Sequence, residues 1–234
     1  MLERVIYNRV TSMIEKCLKY FQTMNDFLVF SKFVEEDKWN IEKQLLKNRA
    51  DFYSKFQPIC DLKLMFERKQ LSIWPLKDEE AVTWIDTMAI LRRAMIDLFK
   101  KGIDASKTKI IMEYPLKYGN HMRSDYIIVY SRLILVLEFG MFNQDEKRSE
   151  ERYTKKLQDS INYRQVIANS VSRNISIVNY TMIYRPEFDR DKSEALTENV
   201  QYNNQEIALL SEFMFREIQH QESLEAINQL ALIT

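Results

Sequence analysis

Glycine occurs three times and proline four times in 234 residues, too few for a flexible or low-complexity chain. The two cysteines, Cys17 and Cys60, cannot build a disulfide framework and lack the spacing of a zinc site or a redox pair. The two histidines, His121 and His220, lie far apart, and neither sits in a metal-ligand motif or beside a nucleophile. With so little glycine there is no phosphate-cradling loop, so a nucleotide motor is not encoded here. Charge of one sign is missing too: 34 Lys and Arg balance 34 Asp and Glu, which argues against a general DNA coat and leaves only a local basic groove. No apolar run reaches membrane-spanning length, and Glu3 and Arg4 interrupt the amino terminus, so neither an export signal nor a membrane anchor is expected. With no disulfide framework, the expected compartment is the cytoplasm.

What is present is apolar and patterned. Hydrophobic residues make up 46% of the chain, enough for one large domain or a small domain with a helical annex. Residues 1–77 read mostly as a helical N-terminal extension, with apolar residues three and four apart and Pro58 as punctuation. Its aromatic residues, Tyr20, Phe21, Phe27, Phe30 and Phe33, suit a core better than a base-stacking platform. From Asp78 the helix "DEEAVTWIDTMAILRRAMIDLFKKG" has acids in its first turn, lysine in its last and Gly102 as its stop. Three strand-like runs follow, beginning with "TKIIMEYPL" at 108–116, then a charged helix from Lys147, then a strand at 175–186. Residues 187–204 read as a polar connection before a terminal helix.

The run "RSDYIIVYSRLILVLEFG", residues 123–140, reads as a hairpin. A two-residue loop at Ser131-Arg132 pairs Tyr130 with Leu133 and sets Asp125 opposite Glu138. Both faces of this pair are apolar, so it belongs at the centre of a sheet covered by helices on each side. Two carboxylates facing each other repel unless a positive group lies between them. A magnesium ion would fit, since it takes oxygen ligands and often only one or two protein carboxylates. Equally, Asp125 could bond Arg123 or backbone while Glu138 meets a lysine from the following helix.

The order of elements, with Glu80 and Trp84 on a helix, "EYPL" at Glu113 to Leu116, Arg123-x-Asp125, and "LEFG" at Leu137 to Gly140, resembles the PD-(D/E)XK nuclease superfamily, in particular the nuclease-like domain that precedes some superfamily 1 helicases. The resemblance covers residues 78–186. It implies a restriction-endonuclease-like α/β fold, an αβββαβ core flanked by the N-terminal helical annex and, over 187–234, a linker and C-terminal helix. It also implies metal-dependent phosphodiester hydrolysis, with Asp125 and Glu138 as ligands of magnesium or manganese and Glu80 as an auxiliary ligand. The chain departs from the pattern at Gly140, where the family places lysine. Losing one such electrostatic contact usually costs on the order of 10²–10³ in rate. Arg123, opposite Gly140, and Lys155 or Lys156, early in the next helix, are the candidates to replace it.

The expected function is therefore a magnesium-dependent DNA nuclease or a protein derived from one, with Glu80, Asp125, Glu138, Arg123 and Lys155 as catalytic residues. Two alternatives stand beside it: an inactive nuclease-fold module binding DNA or a helicase-like partner, and a helical protein whose "IALLSEFMFREI" segment mediates oligomerisation.

Overall fold

The computed structural model describes residues 14–43, 56–71, 75–116, 123–142, 146–187 and 193–231. The helical readings over 1–13 and 44–55, and His121, lie outside the described residues. In chain order the elements are β1 (Lys19–Phe21), α1 (Met24–Phe30), α2 (Phe33–Glu36), a 3₁₀ turn (Ile41–Lys43), α3 (Gln57–Arg68), α4 (Asp78–Lys100), β2 (Thr108–Pro115), β3 (Arg123–Tyr130), β4 (Leu133–Met141), α5 (Glu146–Ala168), β5 (Ser176–Tyr184) and α6 (Ser193–Ala231). The chain is a mixed α/β protein.

Its five strands form one sheet in the order β1-β2-β3-β4-β5. The first three pairings are antiparallel and β4 pairs with β5 in parallel. A parallel neighbour needs a long return connection, which α5 supplies. The β3–β4 loop is Ser131-Arg132, with Tyr130 opposite Leu133. Ser131 takes a left-handed φ of 48°, the conformation that a two-residue turn demands at its first position even of a non-glycine residue.

Helices cover both faces. On one face α4 and α6 pack against Tyr126, Ile128, Tyr130, Leu135 and Leu137, with Phe21, Phe27 and Phe66 in the same core. On the other, Tyr163 and Ile167 of α5 pack against Ile111, Ile127 and Val136. The central strands are apolar on both sides because both sides are buried. Helix α4 is buried along most of its length, from Ala81 to Leu98, and Gly102 at φ +88° ends that segment.

Two stretches depart from the sequence reading. Lys19–Phe21 is not helical but an edge strand, with Lys19 opposite Met112 and Phe21 opposite Ile110. Three residues carry too short an alternation to register against the flanking helical spacing. Helix α6 begins at Ser193 and takes in most of the stretch read as a polar connection. In its early turns Leu196 and Val200 are only half-buried, and a buried polar residue interrupts the apolar stripe. Buried Asn203 accepts from Arg185 N and donates to Arg185 O, both at 2.8 Å, and also donates to Glu42 at 2.9 Å. Pro58 starts α3 in its first turn, where a missing N–H costs nothing.

Candidate active site

The β3–β4 register that pairs Tyr126 with Leu137 brings Asp125 opposite Glu138 at the next step. The backbone pairing stops there, and the carboxylates replace it. Asp125 N–H donates to Glu138 Oε1 at 3.0 Å, and Phe139 N–H donates to Asp125 Oδ2 at 2.7 Å. Lys156 of α5 completes the arrangement. Its ammonium donates to Asp125 Oδ2 at 2.9 Å and to Glu138 Oε2 at 2.8 Å. The positive group between the acids is thus a lysine from the following helix. This is the arrangement in which Glu138 meets a lysine from the following helix, and the same lysine bonds Asp125.

Glu138 is almost fully buried, at 1% exposure. Burial first, and then the neighbouring Asp125 charge, push its carboxyl well above the ordinary glutamate range, while Lys156 opposes them. Burial alone would pull the Lys156 ammonium down, but the two carboxylates outweigh it and hold Lys156 above the usual lysine range. The ammonium therefore stays charged.

The third acid is Glu113, at the end of β2. Ile111 and Tyr114, three apart, pack on the same α5 face, so strand alternation slips by one between them. The slip falls at Glu113, whose φ is +54°. Its carboxylate turns to α4, where Trp84 Nε1 donates to it at 3.0 Å. Arg123 closes this side: Nη2 donates to Glu80 Oε1 at 2.5 Å, Nε lies 3.6 Å from Glu113 Oε2, and the guanidinium sits 4.7 Å from the centre of the Phe66 ring. Glu80 is thus directed at Arg123, and Arg123 is already committed to two acids.

All five sequence candidates line one cleft or its floor. The cleft, of about 530 Å³, is lined by Glu80, Glu113, Arg123, Asp125, Lys155 and Lys156, with Gly140, Arg152 and Tyr163; Glu138 lies beneath it, hydrogen-bonded to Asp125 and Lys156. Lys155 is exposed on the rim, and Lys156 is the lysine that reaches the acids. A usable signal for choosing between them was present in the sequence, since Lys156 shares a helical stripe with Ser160, Tyr163 and Ile167, all buried, whereas Lys155 falls off it. A β-carbon at Gly140 would run into Ile183 Cδ1, the far end of that side chain, so a lysine there requires Ile183 to shift, while Arg152 Cγ at 3.5 Å is in ordinary contact.

Among the described residues no group of three or more His, Cys, Asp or Glu side chains is gathered to hold a metal ion. The donors do suit a magnesium-type ion in kind. They are all carboxylate oxygens, and Asp125 Oδ1 takes no hydrogen bond from the described residues. Two carboxylates with water and phosphate completing the shell is a common magnesium arrangement.

Glu113 gives a pH test of this geometry. Burial, then the Asp125 charge, push its carboxyl up to about 8, against the opposing charge of Arg123. An unfolded glutamate titrates near 4.3, so between these values the folded chain holds a proton that the unfolded chain releases. The stabilisation this confers is complete below the unfolded value and is lost as pH rises through about 8. Urea denaturation of wild type and Glu113→Gln should give curves that converge below about pH 4 and diverge toward about pH 8, the variant becoming relatively more stable. Parallel curves would mean that Glu113 ionises as an ordinary glutamate.

No family model, curated protein or solved structure matches the chain. Among the described residues no helix is long and apolar enough to cross a membrane.

Proposed function

We propose that the protein is a magnesium- or manganese-dependent DNA nuclease with a restriction-endonuclease-like core, in which Lys156 takes the part of the lysine missing at Gly140. The observation that carries this reading is the Lys156 ammonium held by both Asp125 and Glu138 in a cleft. The run α4-β2-β3-β4-α5-β5 supports the core assignment, because its order is that of the motifs. Asp125 and Glu138 would hold the divalent ion, which when bound polarises the scissile phosphate and lowers the pKa of an attacking water.

The rest of the chemistry belongs to the chain. Lys156 has three donors and spends two on the acids, which leaves one for a phosphate oxygen or the attacking water. It would offset the charge that builds on phosphate as the bond breaks. Arg123, neutralised by Glu80, is a weaker candidate for that duty, and the Glu80–Arg123 pair is better suited to bracing the wall that carries Glu113. Lys155 and Arg152, on the rim, would meet the DNA backbone.

The test is cleavage of single- and double-stranded DNA with magnesium or manganese. Wild type should cut, and Asp125→Asn should lower the rate by about 10²-fold or more while still folding. A second reading is favoured by the same lysine, because Lys156 already neutralises the acids: a nuclease-fold module that binds DNA or a helicase-like partner without cutting. It predicts retention of DNA without cleavage, with affinity falling steeply as salt rises. In the 207–218 segment Ile207, Leu210, Met214 and Ile218 lie in the protein's own core while Leu209 is exposed; an oligomer built on that segment would appear in light scattering, with neither DNA property.

A further inference from the structure

A second cavity, of about 910 Å³, lies beside the cleft between α5, β5 and α6. The two share their dividing elements residue by residue: Met141, Arg152 and Tyr184 face the cleft, and the next residues, Phe142, Tyr153 and Arg185, face the second cavity. Its volume falls in the usual range for small-molecule sites.

Arg185 is its central group. The guanidinium lies against two rings, 4.3 Å from the centre of Phe142 and 4.0 Å from that of Tyr202. Among the described residues Arg185 makes no ion pair, and its Nε is buried without a hydrogen-bond partner. Although a hydrogen bond joins the guanidinium to Tyr202, its Nε stays unpaired, and such a group suits an incoming oxyanion, with phosphate matching its planar fork. Glu206 also lines the cavity, where burial pushes its carboxyl up and the Arg185 charge pulls it back. Glu150 lines the cavity as well, on an exposed position.

The other chemistry in the cavity is aromatic. Tyr180 is partly spent against Phe213, at 5.0 Å between ring centres, and Tyr202 covers Arg185. Tyr153 is 43% exposed and lines the same space, so its ring is available to stack on a base. We propose that this cavity binds one nucleotide of a single-stranded nucleic acid, with phosphate on Arg185 and base on Tyr153, adjacent to the nucleotide whose phosphodiester enters the cleft. The assignment of the neighbouring phosphodiester rests on the nuclease reading, whereas the nucleotide site itself does not.

Calorimetric titration of the full chain with deoxyadenosine 5′-monophosphate in EDTA tests the site without the metal. Saturable binding is expected, weakened about ten-fold by Arg185→Gln and about five-fold by Tyr153→Ala, and unchanged by Asp125→Asn. Deoxyadenosine and inorganic phosphate should each bind more weakly than the nucleotide. Should Arg185→Gln fail to fold, Arg185→Lys and the exposed Tyr153→Ala carry the same comparison. No saturable binding, binding unaffected by the Arg185 and Tyr153 variants, or binding lost in Asp125→Asn instead would overturn the proposal. If no DNA is cut but nucleotide binding depends on Arg185 and Tyr153, the nuclease reading fails and this site stands.

Discussion

Lys156→Met should destabilise the protein by about 3–5 kcal/mol near pH 8, the usual cost of removing one partner from a buried charge group. The ammonium is the cation that Asp125 and Glu138 share, and without it two carboxylates face each other where the β3–β4 pairing ends. The loss should shrink as pH falls, because Glu138, already pushed upward by burial and by Asp125, can take a proton and end the repulsion. Chemical denaturation of wild type and variant at about pH 5 and about pH 8 separates this account from simple loss of packing, which would cost the same at both. Adding Glu138→Gln to Lys156→Met should cost less than the sum of the two single changes, since both act on one interaction.

The second large effect concerns rate. Where wild type cleaves DNA, Lys156→Gln should lower the cleavage rate by about 10²–10³-fold, the usual loss for one preorganised electrostatic contact. Moving the lysine to its familiar position should not restore activity. In Gly140→Lys combined with Lys156→Gln, the new side chain starts against Ile183 and beside Arg152, so the double variant should stay inactive and be less stable than Lys156→Gln alone. Single-turnover cleavage rates and melting temperatures of the three proteins decide this. Recovery of the wild-type rate would show that the cleft accepts the lysine from either element.

What could be read from the residues divides along physical lines. The Asp125–Glu138 encounter was legible because a hairpin of fixed loop length makes every cross-strand pair a matter of arithmetic, and the apolar runs on both sides locate that hairpin at the sheet centre. The strand order within 78–186 was legible for the same reason: the change from a period near 3.6 to a period of 2 is strong in β2 to β4. Lys19–Phe21 was not, because a three-residue edge strand is defined by its partner, Ile110 to Met112, rather than by its own pattern. The start of α6 at Ser193 was hidden because Asn203 is tied down by Glu42 and Arg185, contacts remote in sequence. Within the site, nothing in the "EYPL" run marks Glu113 as buried; its left-handed backbone turns it toward Trp84 and into the buried cluster. Lys155 and Lys156 differ by one helical step, about 100° of rotation, and the buried stripe of α5 singles out Lys156.

Anomalous scattering from crystals of the full chain grown with manganese and a DNA oligonucleotide tests the central claim most directly. A manganese peak bound by both Asp125 and Glu138 is expected, with the Lys156 ammonium still beside them. Manganese found elsewhere or nowhere, with Lys156 alone between the two carboxylates, would contradict it and leave a structural ion pair at the heart of the sheet.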